Sequence, residues 1–342
     1  MLSEKRVYRL GTYNLRGFFD YYGYRKRLLR GIIDQMQPDL LLTQEVMVNG
    51  GGMDDFILRA LSENVSSPYQ MISEPSVLNF LRQCGAPPSY GRLVGTVLIG
   101  LVELQNMLLK IPILGRLIGR IPRWLEYPRI WIHKWFKYDL LKLYFPLYAP
   151  IWGISTFISP EIIRLENDSI GLATPEFSEH MGTVQRVKLQ LEDNKTAWLV
   201  NVHLDATVSE EGREIRLSEM QLILNWMEHV KDDCDVTFIA GDNNTLLPGE
   251  PLFDLMRERG YFSAHHMIHG TEPVLTWPSG ISCHDLIDVD GEPGCLDFIW
   301  VHKHENVVLH NAGVLGDNHC PNDKSLFPSD HFALFCDFSF TS

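Results

Sequence analysis

Along the chain, apolar runs that end in polar residues alternate with stretches of helical spacing. Residues 7–15 (VYRLGTYNL) read as a strand closing in a polar turn. Residues 25–37 place Leu28, Leu29, Ile32, Ile33 and Met36 at helical spacing, and Pro38 stops that helix. Asp39–Val46 (DLLLTQEV) is a second apolar strand with a polar end, and 53–64 has the spacing of another helix. A strand–helix–strand opening predicts an α/β protein. Beyond residue 150 the pattern is strand-rich, with strands expected at 151–159, 183–191 and 195–204. Ile215, Leu222, Ile223, Trp226 and Val230 predict a helix over 211–231. Strands are then expected at 236–244, 295–301 and 331–338.

The stretch from about 75 to 150 breaks this pattern. Leu93, Val97, Leu101, Leu104 and Leu108 form a helical stripe opposite Thr96, Glu103, Asn106 and Lys110, and Pro112 ends it. Glu103, Gln105 and Asn106 interrupt the run of about 20 apolar residues that a membrane span needs. Residues 129–145 are apolar nearly all round with cations interspersed. Within 91–145 there are nine Lys and Arg against three acids, and eight aromatic residues including Trp124, Trp131 and Trp135. Basic charge, aromatics and apolar surface together suit a membrane interface. A helical cap packed on the rest of the molecule, or a dimer formed through the stripe, would use the same residues.

Composition narrows the classes. Apolar residues make up 45% of the 342 and charged residues 21%, enough for a large core without disulfide staples. The net charge of −13 runs against a protein whose work is gripping nucleic-acid backbones. Cys84, Cys234, Cys283, Cys295, Cys320 and Cys336 contain no CxxC and read as free thiols. The first ten residues lack the apolar region of a signal peptide, so the expectation is an intracellular chain with peripheral membrane association.

The candidate chemistry sits at strand ends. Asn14 follows the first strand, Glu45 ends the second, and His203 interrupts VNVHLDA. Asp242 and Asn244 close IAGDNN, Asp297 opens DFIWV, and Asp330 with His331 opens the last strand. Strand termini are where α/β folds collect functional groups. Carboxylate and amide oxygens suit Mg²⁺, with Mn²⁺ as the alternative, and two histidines can move protons around a phosphoryl group. GxxxxGK[ST] and GxSxG are both absent, so the P-loop and simple serine-hydrolase readings fail.

The ordered set TYNLRG, LLTQEV, ISTFISPEI, VNVHLDA, IAGDNN, CLDFIWV and PSDHFAL resembles the endonuclease/exonuclease/phosphatase (DNase I-like) superfamily over about 1–75 and 150–340. The resemblance implies one catalytic domain over 1–342, a four-layer α/β sandwich of two mixed β-sheets flanked by helices, with 75–150 as a helical insertion. It implies metal-site roles for Glu45, Asn14 and Asp330, and catalytic roles for His203, Asp242, Asn244, Asp297 and His331. Arg16 stands where several DNA-repair members differ, and Asn243 replaces the usual Phe or Leu of the GDxN motif. Among branches, the chain looks most like the Mg²⁺-dependent neutral sphingomyelinases. That implies hydrolysis of a phospholipid head-group bond, with 91–145 meeting the membrane. A phosphoinositide 5-phosphatase-like phosphomonoesterase and a DNase I-like nuclease are the alternatives.

Overall fold

Alternation along the central strands builds two apolar surfaces per sheet, and this fixes the layering. In the last strand Leu334, Cys336, Phe338 and Phe340 enter the core between the sheets, while Ala333 packs outward. Leu40 and Leu42 face inward where Leu41 faces outward, and Phe238 faces inward where Ile239 faces outward. Strands buried on both faces read as near-continuous apolar runs. Each Leu, Ile or Phe among these contributes roughly 1.5–3 kcal/mol when fully buried.

The computed structural model describes residues 5–17, 22–48, 52–63, 65–75, 152–172, 182–191, 194–245, 250–278, 293–317 and 327–341. Its elements are β1 (Tyr8–Asn14), α1 (Tyr22–Met36), β2 (Leu40–Met47), α2 (Met53–Ser62), β3 (Gln70–Pro75), β4 (Trp152–Ile158), β5 (Ile163–Gly171) and β6 (Thr183–Gln190). There follow β7 (Thr196–His203), α3 (Glu210–Glu228), β8 (Val236–Asp242), α4 (Pro251–Glu258), β9 (Tyr261–Ser263), α5 (Ala264–His269), β10 (Asp297–His302), β11 (Val307–Leu315) and β12 (Ala333–Phe340). One six-stranded sheet has the order β11-β12-β1-β2-β4-β3, the other β5-β6-β7-β8-β10-β9. α1 and α2 cover the outside of the first through Leu29, Ile33, Met36 and Ile57. α3 and α4 cover the second through Met220, Ile223, Met227 and Met256. The result is the expected four-layer sandwich of two mixed sheets flanked by helices.

The expected elements are present, with strands trimmed at their ends. The residues read as polar tips, such as Asn243 and Asn244, lie just outside the ladders. β3, β5, β9, β11, α4 and α5 are additional. The stripe at 93–108 and the aromatic segment 129–145 lie outside the described residues. Pro75 and Gly153 face each other in the β3–β4 ladder, so the chain leaves and re-enters one sheet at adjacent positions. Among the described residues, no helix is long and apolar enough to cross a membrane. Cys234 and Cys336 are buried free thiols, and Cys295 is a partly buried one.

Topology gathers the polar strand ends at one rim. β1 runs parallel to β2, and β7 parallel to β8, so Asn14, Glu45, His203 and Asp242 emerge together, with His203 opposite Asp242. β10 runs antiparallel to β8 with Asp297 opposite Asp242. β12 runs antiparallel to β1 and so begins at the same rim. Just beneath, the inter-sheet core becomes polar. Gln44 Nε2 donates to Asn201 Oδ1 at 2.8 Å, and Asn201 Nδ2 donates to the Ser155 carbonyl at 3.1 Å. These buried bonds tie the sheets together under the rim.

Candidate active site

Asn14 is the hub. Its Nδ2 donates to Glu45 Oε1 at 3.1 Å and to Asp242 Oδ2 at 2.9 Å, drawing the two carboxylates together. Its Oδ1 accepts the Arg16 N–H at 3.0 Å. Asn14 therefore presents its amide nitrogen to the acids and orients them. Glu45 reaches this position through a break in the ladder: the β2–β4 register shifts between Thr43 and Val46, and Glu45 has φ of 51°. A left-handed conformation costs a non-glycine residue about 1–2 kcal/mol. Such strain is often retained where a side chain must be aimed. Gly241, before Asp242, has φ of 149°, and a Cβ there would lie 1.9 Å from the Val202 carbonyl oxygen. Only glycine lets β7 and β8 close up at this end.

Asp242 is almost fully buried, and its Oδ1 accepts the Asn244 N–H at 2.9 Å. Asn244 Nδ2 donates to the Leu204 carbonyl at 2.8 Å, which ties this turn to the end of β7. His203 Nε2 stands 3.6 Å from Asp242 Oδ2 and 3.8 Å from Glu45 Oε1, beyond hydrogen-bond range. On the other side His331 Nδ1 meets Asp297 Oδ2 at 2.9 Å, and His331 Nε2 lies 3.6 Å from Asp242 Oδ2. Asp297, an acceptor when ionised, places a proton on Nδ1. Burial alone would lower the His331 pKa, but the Asp297 and Asp242 carboxylates outweigh it and hold the imidazole well above its ordinary value. Burial pushes Asp297 up to about 6 against the opposing pull of His331. Burial likewise raises Glu45, with His203 opposing.

Asp330 is differently placed. Arg16 forms an ion pair with its Oδ2, and its Oδ1 lies 3.2 Å from the Ser329 hydroxyl, which donates to the Asn14 carbonyl at 2.7 Å. Burial works against its charge, yet His331 and Arg16 hold the carboxyl below its ordinary value. Arg25, fully buried on α1, donates to the carbonyls of Leu15 at 3.0 Å, Gly17 at 2.8 Å and Pro328 at 2.9 Å, locking the loop after β1 to the one before β12.

All eight residues singled out in the sequence therefore lie at this rim. The pairing of Arg16 with Asp330 and the Arg25 clamp were not legible. Arg16 stood out in the sequence only as a departure, and Arg25 only as a helical position.

The cluster fits a hard divalent cation. Asp242, Asp297 and His331 each offer one ligand atom within 4.8 Å of the others. Asp297 Oδ1 is buried with no hydrogen-bond partner. A donor set of carboxylate oxygens suits Mg²⁺ or Mn²⁺. His331 is the weakest of the three as a ligand, because a protonated imidazole offers no lone pair.

A second buried network supports the loop after β7. Arg216 pairs with Glu250 at 2.9 Å and donates to the Thr207 carbonyl at 2.9 Å, while Glu219 Oε2 accepts the Asp205 N–H at 2.9 Å. Burial pushes Glu219 up from 4.5 to about 8. The folded state therefore holds this proton more tightly than the unfolded chain, and stability falls as pH rises from 4.5 towards 8. Glu219→Gln keeps an acceptor for Asp205 and never ionises. Urea unfolding should find the variant more stable than the parent at pH 8.5, by on the order of 1–4 kcal/mol, with the gap closing towards pH 5. An equal gap at both values would contradict the assignment.

No protein-family model matches the sequence, and no curated protein does. Solved structures do match the fold. An endonuclease/exonuclease/phosphatase from Bacteroides vulgatus superposes with a TM-score of 0.60 at 15% identity, covering 98% of this chain and 100% of that one. D. rerio TDP2 complexed with a single-strand DNA product gives 0.59 at 13% identity, covering 98% and 99%. The human Nocturnin catalytic domain with bound sulfate gives 0.59 at 18% identity, covering 98% and 94%. The chain shares the fold of these three structures.

Proposed function

We propose that this protein is a Mg²⁺-dependent phosphoric ester hydrolase acting on the head-group phosphodiester of a membrane phospholipid. The observation that carries the hydrolase reading is the buried convergence of Asp242, Asp297 and His331, with Glu45 and His203 at its edge. Glu45 and Asp242 would hold the cation, with Asp297 Oδ1 as a third oxygen. When bound, the cation supplies positive charge for phosphoryl oxygens and lowers the pKa of bound water. Asp242, held by Asn14 and the Asn244 N–H, accepts a hydrogen bond from the attacking water. His331, locked by Asp297, presents a charged Nε2–H to the phosphoryl oxygens, where a preorganised donor stabilises developing charge. His203, on the opposite side of Asp242, is placed to give a proton to the leaving oxygen.

The lipid part of the reading rests on 91–145, with its nine cations, three acids, eight aromatics and apolar stripe, and on the −13 charge of the whole chain. A panel of phospholipid vesicles, phosphoinositides and single- and double-stranded DNA, each with Mg²⁺, tests it. Release of a phosphorylated head group supports the proposal, whereas cleavage of DNA without lipid contradicts it. Within the same assays, changing Val97, Leu101 and Leu108 together to serine should abolish vesicle binding. Burial is worth about 0.8 kcal/mol per CH₂. Hydrolysis of a soluble short-chain phosphodiester should survive the change. If vesicle turnover also survives in a folded triple variant, the segment is a structural cap.

A further inference from the structure

Asp297 opens β10 of one sheet and His331 lies two residues before β12 of the other, so their 2.9 Å contact is not part of any strand ladder. Something must set the start of β10 against the start of β12. Thr276, fully buried in the connection between α5 and β10, touches both. Its Oγ1 accepts the N–H of Leu296 at 2.9 Å and of Asp297 at 3.0 Å. Its carbonyl accepts the N–H of Phe332, the residue after His331, at 2.7 Å. Its own N–H donates to the Gly294 carbonyl at 3.0 Å, beside the Trp277–Gly294 bridge that pins this segment to the approach to β10.

We propose that Thr276 is a positioning residue for the Asp297–His331 pair. One residue holds the backbone of Asp297 through its hydroxyl oxygen and the backbone next to His331 through its carbonyl. A hydroxyl oxygen with two lone pairs can accept both N–H groups at once. Val has the shape of Thr and no acceptor, so Thr276→Val releases the start of β10 while leaving the carbonyl bond to Phe332. Ser keeps the acceptor. The geometric claim stands on these bonds alone, and only its effect on turnover rests on the hydrolase reading.

The test is proton NMR of the full chain with ¹⁵N-labelled histidine, following the low-field Nδ1–H resonance of His331, assigned by its loss in His331→Gln. In Thr276→Val that resonance should vanish or move upfield. On the best substrate of the panel kcat should fall by roughly 10–10²-fold, with KM changing by less than about 3-fold, as expected for a misplaced group. Thr276→Ser should restore the resonance and bring kcat within about 3-fold of the parent. A folded valine variant that keeps the resonance overturns the proposal, and so does a serine variant that loses it, even if the valine variant fails to fold. A parent protein inactive on every substrate would count against the hydrolase reading, and the NMR result would still decide the role of Thr276.

Discussion

Replacing His331 by alanine is expected to lower kcat by roughly 10²–10³-fold, the range for losing a donor aimed at developing charge. The size follows from how the ring is held. Asp297 fixes Nδ1 at 2.9 Å, which aims Nε2 along one direction, 3.6 Å from Asp242. Burial would lower the pKa of the ring, but the Asp297 and Asp242 carboxylates hold it well above its ordinary value. Alanine removes the charge and the donor together. It also leaves Asp297 buried without its cationic partner, and that carboxyl should then protonate more readily than it does at about 6. Steady-state kinetics beside circular dichroism separates this from unfolding, and activity within about 3-fold of the parent would remove His331 from the chemistry.

Glu45→Gln is expected to raise the Mg²⁺ concentration for half-maximal activity by on the order of 10–100-fold, since even partners that only orient a ligand cost that much. Gln keeps the length of the side chain and an oxygen for Asn14, so the loss reports charge and not shape. Desolvation is the largest cause of the raised pKa of Glu45 and the Asp330 charge adds to it, an environment a divalent cation relieves. Titration of Mn²⁺ followed by electron paramagnetic resonance reads the affinity directly. Unchanged affinity in the variant would take Glu45 out of the metal site.

The eight site residues were legible because each lies at or within three residues of a strand end, and in this topology strand ends converge. Asn14 and Glu45 close a parallel pair, His203 and Asp242 close another, and Asp297 and His331 open strands antiparallel to these. The layers were legible for a related reason: strands buried on both faces, such as β8 and β12, leave mostly apolar runs. β5 left no such mark. Ile163–Asp168 are exposed at a sheet edge, and the strand exists because its backbone pairs with β6, not because its side chains alternate. β11 is blurred by a register shift between Leu309 and Asn311. Arg16, Arg25 and Thr276 act through loops that meet only once both sheets are stacked, so nothing local announces them. The sequence also marked Asp330 as a metal residue beside His331. The structure places its carboxylate on Arg16, a pairing between residues 314 positions apart.

The most direct test of the central claim compares the parent with Asp242→Asn on a soluble phosphodiester, with Mg²⁺, with EDTA, and with EDTA followed by excess Mg²⁺. The predicted result is turnover by the parent that EDTA abolishes and Mg²⁺ restores, and a folded Asp242→Asn protein reduced by roughly 10²–10⁴-fold wherever Mg²⁺ is present. Turnover that survives EDTA, or a variant as active as its parent, would contradict metal-dependent phosphoester hydrolysis at this rim.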